Sequence, residues 1–220
     1  LPMTQDHDYS ADGILASLEA SCERLCTNRI DVLLVHDIGT YTHGEANAAH
    51  WDAFLGSGLA QMQRLKAQGR VRAWGLGVNE VQVCLDTMAE APLDVILLAG
   101  RLTLLDRAAE PELLPRCAET GTSLMLGGAL NSGILATGPV PGAWFDYAPA
   151  PPDIMARAGD LQDGAEAVGL TLPQAALHFA RAHPAACTVL LGTGDPDQLR
   201  GNLALLDAPL DAAARAFVTA

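Results

Sequence analysis

The sequence predicts an α/β fold of (β/α)8 TIM-barrel type, with about five of the eight barrel strands present in its 220 residues. Three observations carry that reading. Short β-rich apolar blocks alternate with stretches of helical periodicity. The blocks are apolar on both faces, as strands of a covered parallel sheet are. Polar and glycine-rich residues gather just past the strand ends: His36-Asp37, Asn79-Glu80, Arg101, Asn131-Ser132-Gly133 and Gly192 to Asp195. In a parallel barrel that rim is the active face. A doubly wound dinucleotide fold would want G-x-G-x-x-G after its first strand, and neither Gly75-Leu76-Gly77 nor Gly192-Thr193-Gly194 continues that way.

The elements follow in order. Ser10 is placed to cap a helix with Ile14, Leu18, Cys22 and Leu25 at helical spacing, and residues 31–35 read as a buried strand. A second helix carries Trp51, Phe54, Leu55, Leu59, Met62 and Leu65 along one side and stops near Gly69, before a strand over 71–78. Residues 81–88 are helical and 94–99 form a strand. Pro111 opens the next helix and 123–126 the next strand. The stretch 138–152 is rich in Pro and Gly, too long for an ordinary connector, and holds Trp144, Phe145 and Tyr147; it reads as a loop folded over something. After it come a helix over 154–168, one opened by Pro173, a strand over 188–191, a helix near 196–205 and a last amphipathic segment. Neither a linker nor low-complexity sequence interrupts the chain, so residues 1–220 read as a single domain.

Composition narrows the function classes. Half the residues are apolar, enough for a sizeable core, and 26 acidic against 13 basic residues give a net charge of −13. That field repels phosphate backbones and anionic lipid, which argues against nucleic acid or membrane partners. No apolar run approaches the roughly 20 residues that span a bilayer, and the N-terminal stretch resembles no signal peptide, so a cytoplasmic protein is expected. A homo-oligomer is compatible with this composition. Cys22, Cys26, Cys84, Cys117 and Cys187 are odd in number and lack C-x-x-C pairing, which reads as reduced thiols. His36, Asp37, His43 and His50 are close in sequence, but their spacing fits no helical ligand pair, and no metal is expected.

Certain stretches resemble the aldo-keto reductase superfamily, in the branch of D-threo-aldose (L-fucose) 1-dehydrogenases and pyridoxal 4-dehydrogenase. They are Asp8-Tyr9-Ser10-Ala11-Asp12-Gly13, the run from Asn28 to Asp37, Gly75-Leu76-Gly77-Val78-Asn79-Glu80, Leu97-Leu98-Ala99-Gly100-Arg101, and the run from Asn131 to Gly138. The resemblance continues to Asn202 and implies a nicotinamide-using (β/α)8 barrel. The family's chemistry uses a Tyr proton donor, an Asp and a Lys that lower its pKa, and an orienting His. Only the histidine has a match, His36. The single lysine, Lys66, reads as a helix-surface residue, and Tyr9, Tyr41 and Tyr147 lie outside the matching motif. The expectation is therefore the C-terminal portion of a reductase barrel, inactive by itself.

The resemblance also assigns cofactor-binding positions. Asn79 matches the residue that bonds the nicotinamide carboxamide, a task for a side chain with donor and acceptor. Asn131, Ser132, Gly133 and Leu135 match a loop along the pyrophosphate. Gly192, Thr193, Asp195, Gln198 and Asn202 match the adenosine end, where a carboxylate favours NAD over NADP because it repels a 2′-phosphate and accepts from a ribose hydroxyl. Asp195 reads equally well as a plain helix cap. Leu102 stands where the branch commonly has Tyr, and Gly127-Gly128 where many relatives stack an aromatic. Thr40, Tyr41, Trp144 and Phe145 are the expected substrate contacts, because loops define specificity in barrels. The implied reaction is NAD(P)-linked oxidation of a cyclic hemiacetal, an aldose or pyridoxal, to a lactone, or reduction of a related carbonyl. The competing reading is a non-catalytic reductase-like binding or regulatory subunit.

Overall fold

The computed structural model describes residues 5–220; Leu1 to Thr4, part of the N-terminal stretch discussed above, lie outside the described residues. Two compact units divide the chain, one holding residues 1–97 and 120–122, the other 98–119 and 123–220.

In the first unit, α1 (Ala11–Arg24) starts at Ser10, whose Oγ accepts from the Gly13 N–H as an N-cap should. It leads into β1 (Val32–His36). Two short helices, α2 (Thr40–His43) and α3 (Asn47–Ala53), follow, and then α4 (Leu59–Ala67), β2 (Ala73–Val78), α5 (Gln82–Glu90) and β3 (Val95–Ala99), the last of which ends in the second unit. The single long helix expected around Trp51 to Leu65 is interrupted by a π turn over Phe54–Gly58. The wider turn shifts the phase of the apolar stripe, so Phe54, Met62 and Leu65 are buried while Leu55 is turned outward. Gly58 inside the π turn is required by packing, since a Cβ there would lie 2.0 Å from the Tyr9 carbonyl oxygen.

In the second unit, α6 (Leu113–Thr120) begins two residues after the predicted Pro111 and leads to β4 (Ser123–Gly127). The short α7 (Ile134–Thr137) precedes the aromatic loop, which contains a small antiparallel hairpin of β5 (Trp144–Phe145) and β6 (Ala148–Pro149). Then come α8 (Pro152–Ala167), α9 (Leu172–Ala182), β7 (Ala186–Val189), α10 (Pro196–Asp207) and α11 (Ala212–Thr219). Strand β7 starts two residues earlier than the apolar run suggests, because its partner β4 sets the boundary: Leu124 faces Ala186, a bulge intervenes, and Leu126 faces Val189.

Hydrogen bonding orders the strands β1-β2-β3-β4-β7, a five-stranded sheet parallel where β1 meets β2 and β4 meets β7. The expectation that all strands are buried on both faces holds for β2 and fails for β1 and β7, whose Val32, Cys187 and Thr188 are exposed. Each of those two has a strand neighbour on one side only. No described helix is long and apolar enough to cross a membrane.

Glycines in β2 permit close strand packing. A Cβ at Gly75 would sit 1.6 Å from the Val95 carbonyl oxygen, a distance no side chain can occupy. We therefore expect Gly75→Ala to force β2 and β3 apart and to cost at least about 3 kcal/mol, read as a lowered urea midpoint.

Candidate functional site

The first cluster lies in the first unit, at the C-terminal ends of β1 and β2. Parallel register sets His36 opposite Gly77, and the imidazole passes over that glycine, whose absent Cβ would stand 3.5 Å from His36 Cδ2. Asn79 follows two residues beyond Gly77, so the predicted catalytic histidine and carboxamide-binding asparagine lie at the same ends of adjacent strands. The His36 side chain is 74% exposed, with Nδ1 3.5 Å from Asp37 Oδ2, a contact that can bias which ring nitrogen carries the proton. Asp37 takes a left-handed φ of 55°, and its N–H donates to the Gly77 carbonyl at 2.9 Å, fixing how the chain leaves β1.

Thr40 and Tyr41, the predicted substrate contacts, are held from the next strand end. Thr40 Oγ1 donates to Glu80 Oε1 and the Tyr41 N–H donates to Glu80 Oε2, each at 2.9 Å. Sequence reasoning placed Glu80 on the rim without a role. Its neighbourhood depends on two loops meeting, which spacing cannot show.

Below His36 lies a second feature that the sequence did not disclose. Tyr9 is buried, and its hydroxyl donates to the His36 carbonyl at 2.9 Å while lying 2.8 Å from His43 Nε2. A phenol has one proton, so with that proton on the carbonyl, His43 must donate from Nε2. The rings of His7, His43 and His50 pack around it with centroids 4.2–6.4 Å apart. Burial and the Asp37 charge push the Tyr9 pKa up, the opposite of what a tyrosine acting as proton donor and acceptor near neutral pH needs. Burial, then His50 and His7, hold the His43 pKa below its ordinary value, against a smaller opposing pull from Asp37. Among the described residues no group of three His, Cys, Asp or Glu is arranged to hold a metal ion.

The remaining candidates lie in the second unit. Asn131, Ser132 and Gly133 are three successive residues at positive φ, 43°, 56° and 105°. The turn is held by the Asn131 side chain, whose Oδ1 accepts from Thr103 Oγ1 at 2.5 Å and whose Nδ2 donates to the Gly100 carbonyl at 3.2 Å. Asn131 is buried, so its side chain shapes the loop from inside. Ser132 Oγ accepts from the Tyr147 N–H at 3.0 Å, which leaves its own proton available for an anionic oxygen. Leu135 is fully buried and its N–H donates to the Leu130 carbonyl, so it anchors the turn.

The hairpin carrying Trp144 and Phe145 is tied to the same region. Arg101, 13% exposed, donates from Nη2 to both Asp146 oxygens at 2.9 and 2.8 Å and from Nη1 to Asp106 at 3.2 Å. Burial works against the guanidinium charge, and the two carboxylates, Asp146 first, more than offset it and raise its pKa. Asp146 and Tyr147 both have positive φ, so the bidentate pair also holds a strained corner. Phe145 is half-buried and Trp144 is exposed.

At the last strand end, the plain-cap reading of Asp195 is what the geometry shows: its Oδ1 accepts from the Asp197 N–H at 2.8 Å at the start of α10. Thr193 Oγ1 donates to Gln198 Oε1 at 2.7 Å. A Cβ on Gly192 or Gly194 would meet nothing within 4 Å, so this segment borders open space, and Asn202 lies one turn beyond Gln198 on α10. The one cation on that helix, Arg200, pairs with Asp197 at 2.5 Å.

Two outcomes follow from these contacts. The folded chain binds a proton at His43 more weakly than an unfolded histidine does, so the neutral ring's contribution is complete above about pH 6.5 and is lost as pH falls below it. Denaturant midpoints at about pH 7.5 and about pH 5.5 should show lower stability at the acid value, and His43→Gln should flatten that slope, with His183, also lowered by burial, retaining part of it. Asp146→Ala should leave Arg101 without its bidentate partner, cost about 1.5–3 kcal/mol in urea unfolding, and make the hairpin more susceptible to limited proteolysis.

Comparison with known proteins shows the family of the chain. The chain is 42% identical over 197 residues to pyridoxal 4-dehydrogenase from Microbacterium luteolum, a match over 89% of this chain and 58% of that protein. It is 31% identical over 201 residues to D-threo-aldose 1-dehydrogenase from a Pseudomonas species, covering 91% and 59%. The chain thus spans under two thirds of the curated relatives it matches. Among solved structures, the holo form of aldo-keto reductase AKR11C1 from Bacillus halodurans superposes with a TM-score of 0.73 at 24% identity, over 96% of this chain and 67% of that one. The glycerol dehydrogenase AKR11B4 from Gluconobacter oxydans gives 0.67 at 20% identity, over 98% and 67%. The model of the aldo/keto reductase family matches residues 1–218, and the chain belongs to that family.

Proposed function

We propose that these residues form the histidine-bearing, cofactor-binding part of an NAD-linked dehydrogenase that oxidises a cyclic hemiacetal, pyridoxal or an aldose, to a lactone. The observation that carries this reading is that His36 closes β1 and Asn79 directly follows the paired β2, both at the same end of the strands, in a chain 42% identical to a pyridoxal 4-dehydrogenase. In the finer reading the five-stranded sheet is part of a (β/α)8 barrel, whose rim these strand ends form.

The donor set suits a dinucleotide. Ser132 keeps a hydroxyl proton beside a glycine whose added Cβ would meet open space, and the Gly192–Gly194 segment is equally unobstructed ahead of α10. When bound, the nicotinamide supplies the hydride acceptor. Asn79 would hold the carboxamide by one donor and one acceptor, and Ser132 with the Gly133 turn would bond the pyrophosphate oxygens. His36 would hold the substrate hydroxyl oxygen through a ring nitrogen, with Asp37 biasing its tautomer. None of the three tyrosines matches the family's proton acceptor, and Lys66 is engaged with Asp94 at 2.5 Å. These 220 residues alone therefore lack a route for the hydroxyl proton. NAD would be favoured over NADP because Asp195 and Asp197 put negative charge at the start of α10, the expected adenosine end, where Arg200 is already paired.

Titrating the 220-residue chain with NAD+ and NADP+, and following NADH fluorescence with pyridoxal or L-fucose, tests this. Tighter NAD+ binding without turnover is expected. Tighter NADP+ binding would reverse the cofactor assignment, turnover would place the acid-base group within this chain, and binding of neither dinucleotide would defeat the reading.

A further inference from the structure

The loop after β1 is built around a carboxylate that belongs to another loop. Gly39 occupies the N-cap of α2 with φ 136° and has no side chain to offer the helix's first N–H groups. Glu80, from the segment between β2 and α5, fills that role. Its Oε2 accepts from the Tyr41 N–H and its Oε1 accepts from Thr40 Oγ1, so both oxygens serve consecutive residues of the same turn. The glycine makes room for it: a Cβ on Gly39 would stand 2.5 Å from Glu80 Oε2 and 3.3 Å from Val83 Cγ1. From the other side, Asn47 Oδ1 accepts from the Gly39 N–H at 3.0 Å, and the Glu80 carbonyl accepts from Cys84 Sγ at 3.3 Å. The carboxylate is thus anchored at its own backbone and grips the loop at two points.

From this geometry we infer that Glu80 is a positioning residue: it fixes the Thr40–Tyr41 turn against the strand end that carries Asn79, and so sets the substrate side of the site without touching the cofactor side. The inference rests on the reading of Thr40 and Tyr41 as substrate contacts and of Asn79 as a cofactor contact. Loss of the clamp should misplace the turn while Asn79 stays on its strand. Substrate affinity and dinucleotide affinity should therefore separate, because a small misplacement of a binding loop is felt by what it contacts and by little else.

The experiment compares the wild-type 220-residue chain with Glu80→Ala, Glu80→Gln and Gly39→Ala. Three readouts are taken: amide hydrogen exchange over residues 38–43, NADH affinity by nucleotide fluorescence, and pyridoxal and L-fucose affinity by competition and ligand fluorescence. In Glu80→Ala, exchange at Tyr41 should quicken about tenfold and substrate affinity fall about fivefold or more, with NADH affinity changed by less than about twofold. Glu80→Gln keeps an oxygen for Thr40 and should recover part of the loss. Gly39→Ala drives a methyl into the carboxylate and should reproduce the phenotype if Glu80→Ala does not fold. Combining the two should give less than the sum, since removing Glu80 removes the clash. Unchanged exchange at Tyr41 would show that no clamp exists, and faster exchange with unchanged substrate affinity would reduce Glu80 to a structural role; either overturns the inference. If the wild type binds neither NADH nor substrate, the functional reading fails and the positioning role falls with it, whereas the exchange data still report the clamp separately.

Discussion

The pairing of β1 with β2 in one parallel register governs the rest of the first unit. Parallel strands end level, so the residue closing β1 and the residues just past β2 must share a rim. That places His36 over Gly77, with Asn79 two residues farther along the chain, and brings the loop from Asp37 to Tyr41 within reach of Glu80. The sheet also depends on a glycine, since Gly75 lets β2 approach β3 where no methyl fits.

Within each unit, long-range polar contacts replace local ones at the loops. The α2 helix has no cap of its own and takes one from Glu80. The Asn131 turn, at positive φ over three residues, is held by Thr103 and Gly100. The strained corner at Asp146 and Tyr147 is held by Arg101 and Ser132. In each case backbone strain or an unsatisfied helix end at a loop is offset by a side chain distant in sequence, which is how a rim loop keeps one shape while remaining at the surface.

The histidine cluster beneath His36 works differently. Tyr9 joins the start of α1 to the end of β1 through the His36 carbonyl, and three imidazoles fill the space around its ring. His43 is held toward its neutral form first by burial and then by its His50 and His7 neighbours. The cluster therefore gives the base of the rim a dependence on pH that does not involve the exposed His36 ring.

The sequence by itself determined the alternation of helices and strands, the Ser10 and Asp195 caps and the family, because periodicity, cap chemistry and motif order are local properties of the chain. It also placed His36, Asn79 and Asn131 at strand ends. It did not show the π turn that turns Leu55 outward, the bulge that moves β7, or the exposure of β1 and β7, each of which depends on what a segment packs against. Only the tertiary structure decided the work of Glu80, Arg101 and Tyr9. Apart from the nearby Asp106 on Arg101, their partners lie 27 to 45 residues away, and which donor meets which acceptor is settled when loops fold together in space.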